Sequence, residues 1–523
     1  MVRLRFLLTI AVAAAAKGQA TPSVPPSAQI YRDIARLGAL GLIDTLLVGS
    51  KPYSEREITR LLGEAQTNLS RNPAAAEWAT RIIQTDLARY GAHVNRPFDA
   101  ASVEATMLDS PFSAAPSDQN GTIDAAINPL AANRSGRPLA DGNTLALASI
   151  HSATIGPWIA ASISPRLSLL DARGGNSSAL FALQSGEINA LIAGLSIEAG
   201  RTYAAFGPSP TGGLLLSPGG PPLDMVRISN DRPWRVPLFS RVFGPVYGSL
   251  LVADLGTRTI HPHSKLAAYH LAMLPHPQFE LGVEVIDAMG GRGGQAASFG
   301  DRVLDAIPVI DALRTGSDFQ FSNKMAGVDF HWRMPRWSGF ELYLEAGFDD
   351  VDSRRWRSVF LEDGGYLAGI SVSCLFSCGA FAIRAEYHQT GIRYYTQLDY
   401  PIAVRGQLLG DPLGPRGNGA YLTVDDDRGK GGRLSLQGAF EIRSGNTYGS
   451  QATGPTSAGF HFVQIARRPG EKRWRGMASW TASELTRVAP SLSVGLERTS
   501  NFNFVDGANR TNAIAQLGLI VWP

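Results

Sequence analysis

Residues 325–349 read MAGVDFHWRMPRWSGFELYLEAGFD. Val328, Phe330, Trp332 and Met334 alternate with Asp329, His331 and Arg333. After a short turn, Phe340, Leu342, Leu344 and Ala346 alternate with Glu341, Tyr343 and Glu345. Alternation with a period of two marks a strand with one apolar and one polar face. The short turn makes the pair an antiparallel hairpin. A soluble sandwich produces the same pattern, so the rest of the chain decides which face meets what.

From about residue 145 to the end the alternation continues. It runs through FELGVEV from Phe279, AFAIRAEYH from Ala380, GRLSLQGAFEIR from Gly432 and the closing NAIAQLGLIVWP. Connections come in two sizes. LPHPQF, MPRWSG and CLFSCG are short; the stretches near 301–318, 347–365, 389–430 and 499–511 are long and polar. Short turns on one side and long loops on the other are the pattern of an outer-membrane barrel. Lipid satisfies no backbone amide, so only helices and closed barrels span a bilayer. The Asp329–His331–Arg333 face must then point into the lumen. At roughly 20–24 residues per strand with its connection, residues 145–523 make about 16–18 strands.

The bulk numbers agree. Charged residues make up 18% of the 523, against the roughly 25% of a soluble protein, and glycine is abundant at 56. A net charge of +3 points to no nucleic-acid partner. MVRLRFLLTIAVAAAAKGQA carries two arginines, an apolar run and a small-x-small site, which predicts a signal peptide over 1–20. Residues 21–92 predict a periplasmic helical bundle: Ile30, Ile34 and Leu37 recur at helical spacing, Ser54 and Glu57 form a capping box, and Asn72-Pro73 begins a third helix. Residues 93–144 read as a linker or loop, with one strand near Phe98–Leu108. In an oxidising compartment Cys374 and Cys378 could close a disulfide across their turn, two free thiols being the alternative.

Two stretches carry more than a generic barrel. One is GRTYAAFGPSPTGGLLLSPGGPPLDMVRIS, residues 200–229, with Arg201, Gly207, Pro208 and Ser217. The other is GQLLGDPLGPRGNG, residues 406–419, with Gly410, Pro412, Gly414 and Pro415. Together with YRDIARLGALGLIDTLL and AYHLAMLPHPQFELGVEV, their order resembles the capsule assembly Wzi family. Residues 109–144 have no counterpart in that pattern. The resemblance implies an all-β transmembrane barrel of about 18 antiparallel strands with a small N-terminal α-helical periplasmic bundle. It also implies an outer-membrane location and a lectin-like role, holding capsular or other surface polysaccharide rather than catalysing a reaction. A porin for small solutes is the alternative. The partners expected are the polysaccharide and outer-membrane lipid, with the chain a monomer.

No motif argues for a cofactor or a metal. GPSPTGG lacks a P-loop ending, Ser217 has no nucleophile elbow, and the pair His261 and His263 lacks a third ligand. Asp425–Asp427 reads as a solvated acidic loop rather than a Ca²⁺ site. Glu280, Glu341 and Glu345 could pair for hydrolysis or hold the lumen together with arginines. Trp234, Trp474 and Trp480 fit an interfacial aromatic belt. Arg354, Trp356 and Arg357 in SRRWRS fit contact with a sugar on an outer loop.

Overall fold

The computed structural model describes all residues except 1–18, 92–97, 110–112, 115–125, 128–129, 131–133, 295–299, 301–321, 350–359, 398, 428–430, 453–459, 483–486 and 523. The expected signal peptide, apart from Gln19 and Ala20, lies outside the described residues, as do Arg354, Trp356 and Arg357.

Among the described residues, eighteen antiparallel strands close into one barrel. They are β1 Ala100–Asp109, β2 Gly142–Ile155, β3 Ile159–Ala172, β4 Asn176–Ile192, β5 Leu195–Thr202, β6 Leu223–Asn230, β7 Val246–Asp254, β8 Lys265–His276 and β9 Phe279–Met289. Then follow β10 Ser322–Met334, β11 Phe340–Asp349, β12 Gly364–Val372, β13 Phe381–Thr390, β14 Gly417–Asp426, β15 Arg433–Arg443, β16 Glu471–Thr481, β17 Val488–Ser500 and β18 Asn509–Val521. Each strand pairs with its sequence neighbour, and β1 closes the ring on β18. The strand expected near Phe98–Leu108 is wall strand β1, so the wall begins before residue 145. A further difference concerns the loop expected over 389–430. GNGAYLTVDD within it is wall strand β14, whose glycines and acidic residues masked its alternation.

In β10 and β11 the two faces separate as the sequence requires. Val328 is 51% and Leu344 43% exposed on the outside, while Asp329, His331, Arg333 and Glu345 are buried inside. An apolar belt with a polar lumen is the transmembrane-barrel arrangement. Trp234 lies in the β6–β7 connection, Trp480 near the inner end of β16, and Trp474 near its outer end.

Helices α1 Ile30–Ala39, α2 Glu55–Thr67 and α3 Ala76–Tyr90 sit at the short-turn end. Ile34, Leu37, Ile58, Leu62, Trp78 and Ile82 build their shared core, joined by Ala380 of the β12–β13 turn. Trp78 packs against Gly379 there, in the turn that the Cys374–Cys378 disulfide closes. The Ser54 hydroxyl caps α2 by accepting from the Glu57 amide at 3.2 Å. Glu57 itself turns to Arg60 instead of back to Ser54. Asn72-Pro73 opens a short 3₁₀ turn, and α3 follows from Ala76. Asp425 and Asp427 are not solvated but buried, because they anchor this bundle. Arg36 pairs with Asp425 at 2.7 Å, and Arg81 with Asp427 at 3.1 Å.

Candidate functional site

The lumen is filled by the chain itself from both ends. After α1, residues 42–53 run up into the barrel. Their tip, Ser50-Lys51, pairs antiparallel with Ala205-Phe206, which descend from the β5–β6 loop. The wall holds this tip by its backbone. Both oxygens of Glu280 accept from it at 2.8 Å, one from the Val48 amide and one from Gly49. Arg333 donates to the Leu46 carbonyl at 2.8 Å and lies 3.6 Å from Glu280. Gly49 lets the tip lie close to the wall, since a Cβ there would sit 3.0 Å from both Asp329 and Glu280 and would press those carboxylates aside. Burial pushes the Lys51 ammonium down to about 8, against the opposing pull of Glu280, Asp329 and Glu345. The three carboxylates that the sequence offered for hydrolysis are thus engaged otherwise: Glu280 grips the plug, Glu345 accepts from the Leu214 amide at 2.5 Å, and Glu341 holds His331 at 3.0 Å.

The two sequence motifs, almost two hundred residues apart, meet over this plug. The Ser217 amide donates to the Leu409 carbonyl at 2.7 Å. The hydroxyls of Tyr394 and Tyr395 both reach the Leu214 carbonyl. Gly207 has φ +88°, and a Cβ there would lie 2.3 Å from Glu345. At Gly410 a Cβ would strike the Tyr395 hydroxyl, whereas Gly414 (φ +72°) is needed for its turn. Arg201 pairs with Asp224 across the β5–β6 register at 2.6 and 2.8 Å. His388 bonds Asp411 of the second motif at 2.6 Å. Pro208 and Pro412 border the remaining space, and Pro415 lies buried beside Gly414. Arg201 stays on the outward face of the wall with half-exposed Asp224, and the other motif residues shape a lid.

Beside the plug a cavity of about 600 Å³ remains, within the range of small-ligand sites. Its loop end is formed by residues 134–139 with Pro218 and Gly219, and its floor by α1. Glu104 accepts from Arg137 at 2.8 Å and from Arg166 at 2.5 Å. Across the cavity, Glu441 accepts from Arg475 at 2.7 Å and from the Tyr421 hydroxyl at 3.1 Å. The sequence indicated lumen arginines only as a class. Arg137 and Arg166 are brought together by loop and register, which alternation cannot foretell. His261 stacks on Tyr400 and His263 bonds Asp254, so the two do not share a ligand. Among the described residues no cluster of three His, Cys, Asp or Glu suited to a metal occurs.

A family model for the capsule assembly protein Wzi matches residues 115–514, about three quarters of the chain. The chain belongs to the Wzi capsule assembly family. One solved structure similar to it is Wzi of Escherichia coli, described as an outer-membrane protein involved in group 1 capsule assembly and a carbohydrate-binding β-barrel. It is 17% identical with a TM-score of 0.66, covering 95% of this chain and 99% of that one. OprD of Pseudomonas aeruginosa (7% identical, TM-score 0.42, covering 82% and 96%) and OccD3 of the same organism (9%, 0.44, covering 81% and 90%) are more remote. No curated protein matches in sequence. The Wzi-family chain is an outer-membrane barrel, and the three helices and the loops that fill its lumen come from its own N-terminal third and the two motifs.

Proposed function

We propose that this Wzi-family barrel holds surface polysaccharide at the outer face of the outer membrane, as a binding protein and not as an enzyme. The observation that carries this reading is the lumen filled by its own chain. Residues 42–53 from below meet residues 203–217 from above, and the remaining cavity rests on α1. Such a barrel suits a solute-passing role poorly and a holding role well. A repeating polymer engages many copies at once, so weak single contacts add to firm retention. Arg354, Trp356 and Arg357 belong to this proposal as outer-loop contacts, Trp by stacking and the arginines by charge.

Two measurements on the purified barrel test it. Polysaccharide isolated from the same cells is expected to bind the immobilised protein, and planar bilayers containing the protein are expected to stay electrically silent. Steady single-channel conductance without polymer binding would overturn the proposal in favour of a porin. Hydrolysis of the bound polymer would overturn the non-catalytic part.

A further inference from the structure

The cavity beside the plug carries a surplus of positive charge. Nine of its lining residues are Lys or Arg and five are Asp or Glu, and of the nine Arg473 and Arg475 are balanced by Glu471 and Glu497 behind the lining. The surplus is local. At the loop end, Arg137 and Arg166 share the single carboxylate of Glu104. At the floor, Arg36 at 2.7 Å and Arg32 at 3.9 Å share Asp425. Between them Arg384 has Glu386 at 3.8 Å, beyond hydrogen-bond distance, and that carboxylate already accepts from Ser209, Thr211 and Tyr343.

A network that only braces the wall balances itself. The neighbouring set does so: Arg443, Arg473 and Arg475 face Glu441, Glu471 and Glu497, three against three. Desolvated charge without a full partner is costly, and here Arg166 and Arg384 are the largely buried side chains. Two guanidiniums on one carboxylate leave one charge uncompensated, together with donors in the planar fork that matches a second carboxylate.

We propose that this cavity is a binding site for a carboxylated saccharide segment, a run of uronic-acid units. Arg137 and Arg166 take one carboxylate at the loop end. Arg384, with Arg32 and Arg36, takes another towards the floor. Tyr421 in the wall between them lines the same space, its ring packed against His388. The proposal rests on the polysaccharide-holding reading and narrows it to an acidic polymer and an intraluminal site.

The test is titration calorimetry on the intact, detergent-solubilised protein, with tetramers of galacturonate and of glucuronate, and maltotetraose as the neutral probe of equal length. At least one acidic tetramer is expected to bind at least tenfold more tightly than maltotetraose, and more weakly as salt rises. Arg137→Gln is expected to weaken it at least tenfold. Its side chain is 40% exposed on a loop and Glu104 keeps Arg166, so the fold does not depend on it. Arg384→Gln is expected to act likewise, with Arg384→Lys, which keeps the charge, restoring part of the affinity. Equal binding of neutral and acidic tetramers, binding of neither acidic tetramer, or indifference to both arginine substitutions would overturn the site. If the cells' own polysaccharide still binds in any of those cases, only the site falls. If that polymer does not bind either, the holding role falls with it.

Discussion

Glu280→Gln isolates the hold of the barrel wall on its plug. The carboxylate receives two backbone amides at 2.8 Å and faces Arg333 at 3.6 Å, all of them buried. A glutamine keeps one acceptor. Its amide nitrogen then points a donor at the other backbone N–H, and Arg333 loses its nearest compensating charge. A lost charge-assisted hydrogen bond costs about 1.5–3 kcal/mol, and removing one partner of a buried pair about 3–5 kcal/mol. These overlap, so about 3–5 kcal/mol is expected for the group. At 1.4 kcal/mol per factor of ten, the undocked plug becomes roughly two to three and a half orders of magnitude more populated. The assay places a cysteine at Val48, which is buried beside Glu280, in a chain whose own two cysteines are joined to each other. Maleimide labelling of Cys at 48 then reports undocking. The rate is expected to rise by that factor in the Glu280→Gln background while the barrel keeps its heat-modifiable gel mobility. An unchanged rate would refute the claim that Glu280 holds the plug.

Gly207→Ala brings a Cβ to 2.3 Å from Glu345 at φ +88°. It is expected to cost about 1–3 kcal/mol from backbone strain, seen as a lower thermal midpoint, and a midpoint equal to wild type would count against the tight lid. Leu344→Arg, on the lipid face, is expected to cost roughly 2–4 kcal/mol if it lies near the bilayer midplane, whereas Gln437→Arg, lining the cavity, costs much less in the same refolding titration; equal costs would contradict the assignment of faces. Burial lowers Lys51 from 10.5 to about 8, so between those values the unfolded chain binds more protons and stability gains with rising pH. Above pH 10 burial of Tyr31 and Tyr53, which raises both well above their ordinary value, reverses the trend. Wild type minus Lys51→Met should therefore show a midpoint difference that shifts in favour of wild type from pH 8 to 10, and a flat difference would reject a Lys51 that burial lowers to about 8.

The barrel was legible because lipid forces alternation, and the β10–β11 hairpin from Val328 to Ala346 displays it most plainly. β14 was hidden for a physical reason. Gly417, Gly419 and the Asp425-Asp426 pair look like loop residues, yet Gly417 makes room for Leu413, Gly419 for the Tyr421 ring, and Asp425 points inward to Arg36. Acidic residues that would be solvated in a loop here bind the helical bundle. The two glycine- and proline-rich motifs stood out in the chain, but their meeting through Ser217 and Leu409 depends on two long loops folding inward. The plug left even less trace. LVGSKPY resembles any polar connector, and only the acidic wall around it explains Gly49 and Lys51. The Glu104–Arg137–Arg166 cluster joins two strands and a loop, so no local spacing could reveal it.

The central claim is that the protein retains polymer that other components make and export. Its most direct test is the distribution of surface polysaccharide between washed cells and medium in a strain lacking the gene and in the same strain complemented with it. Total polymer is expected to stay unchanged, most of it moved to the medium without the protein and returned to the cells with it. Polymer that stays on the cells, or that is no longer made at all, would contradict the claim.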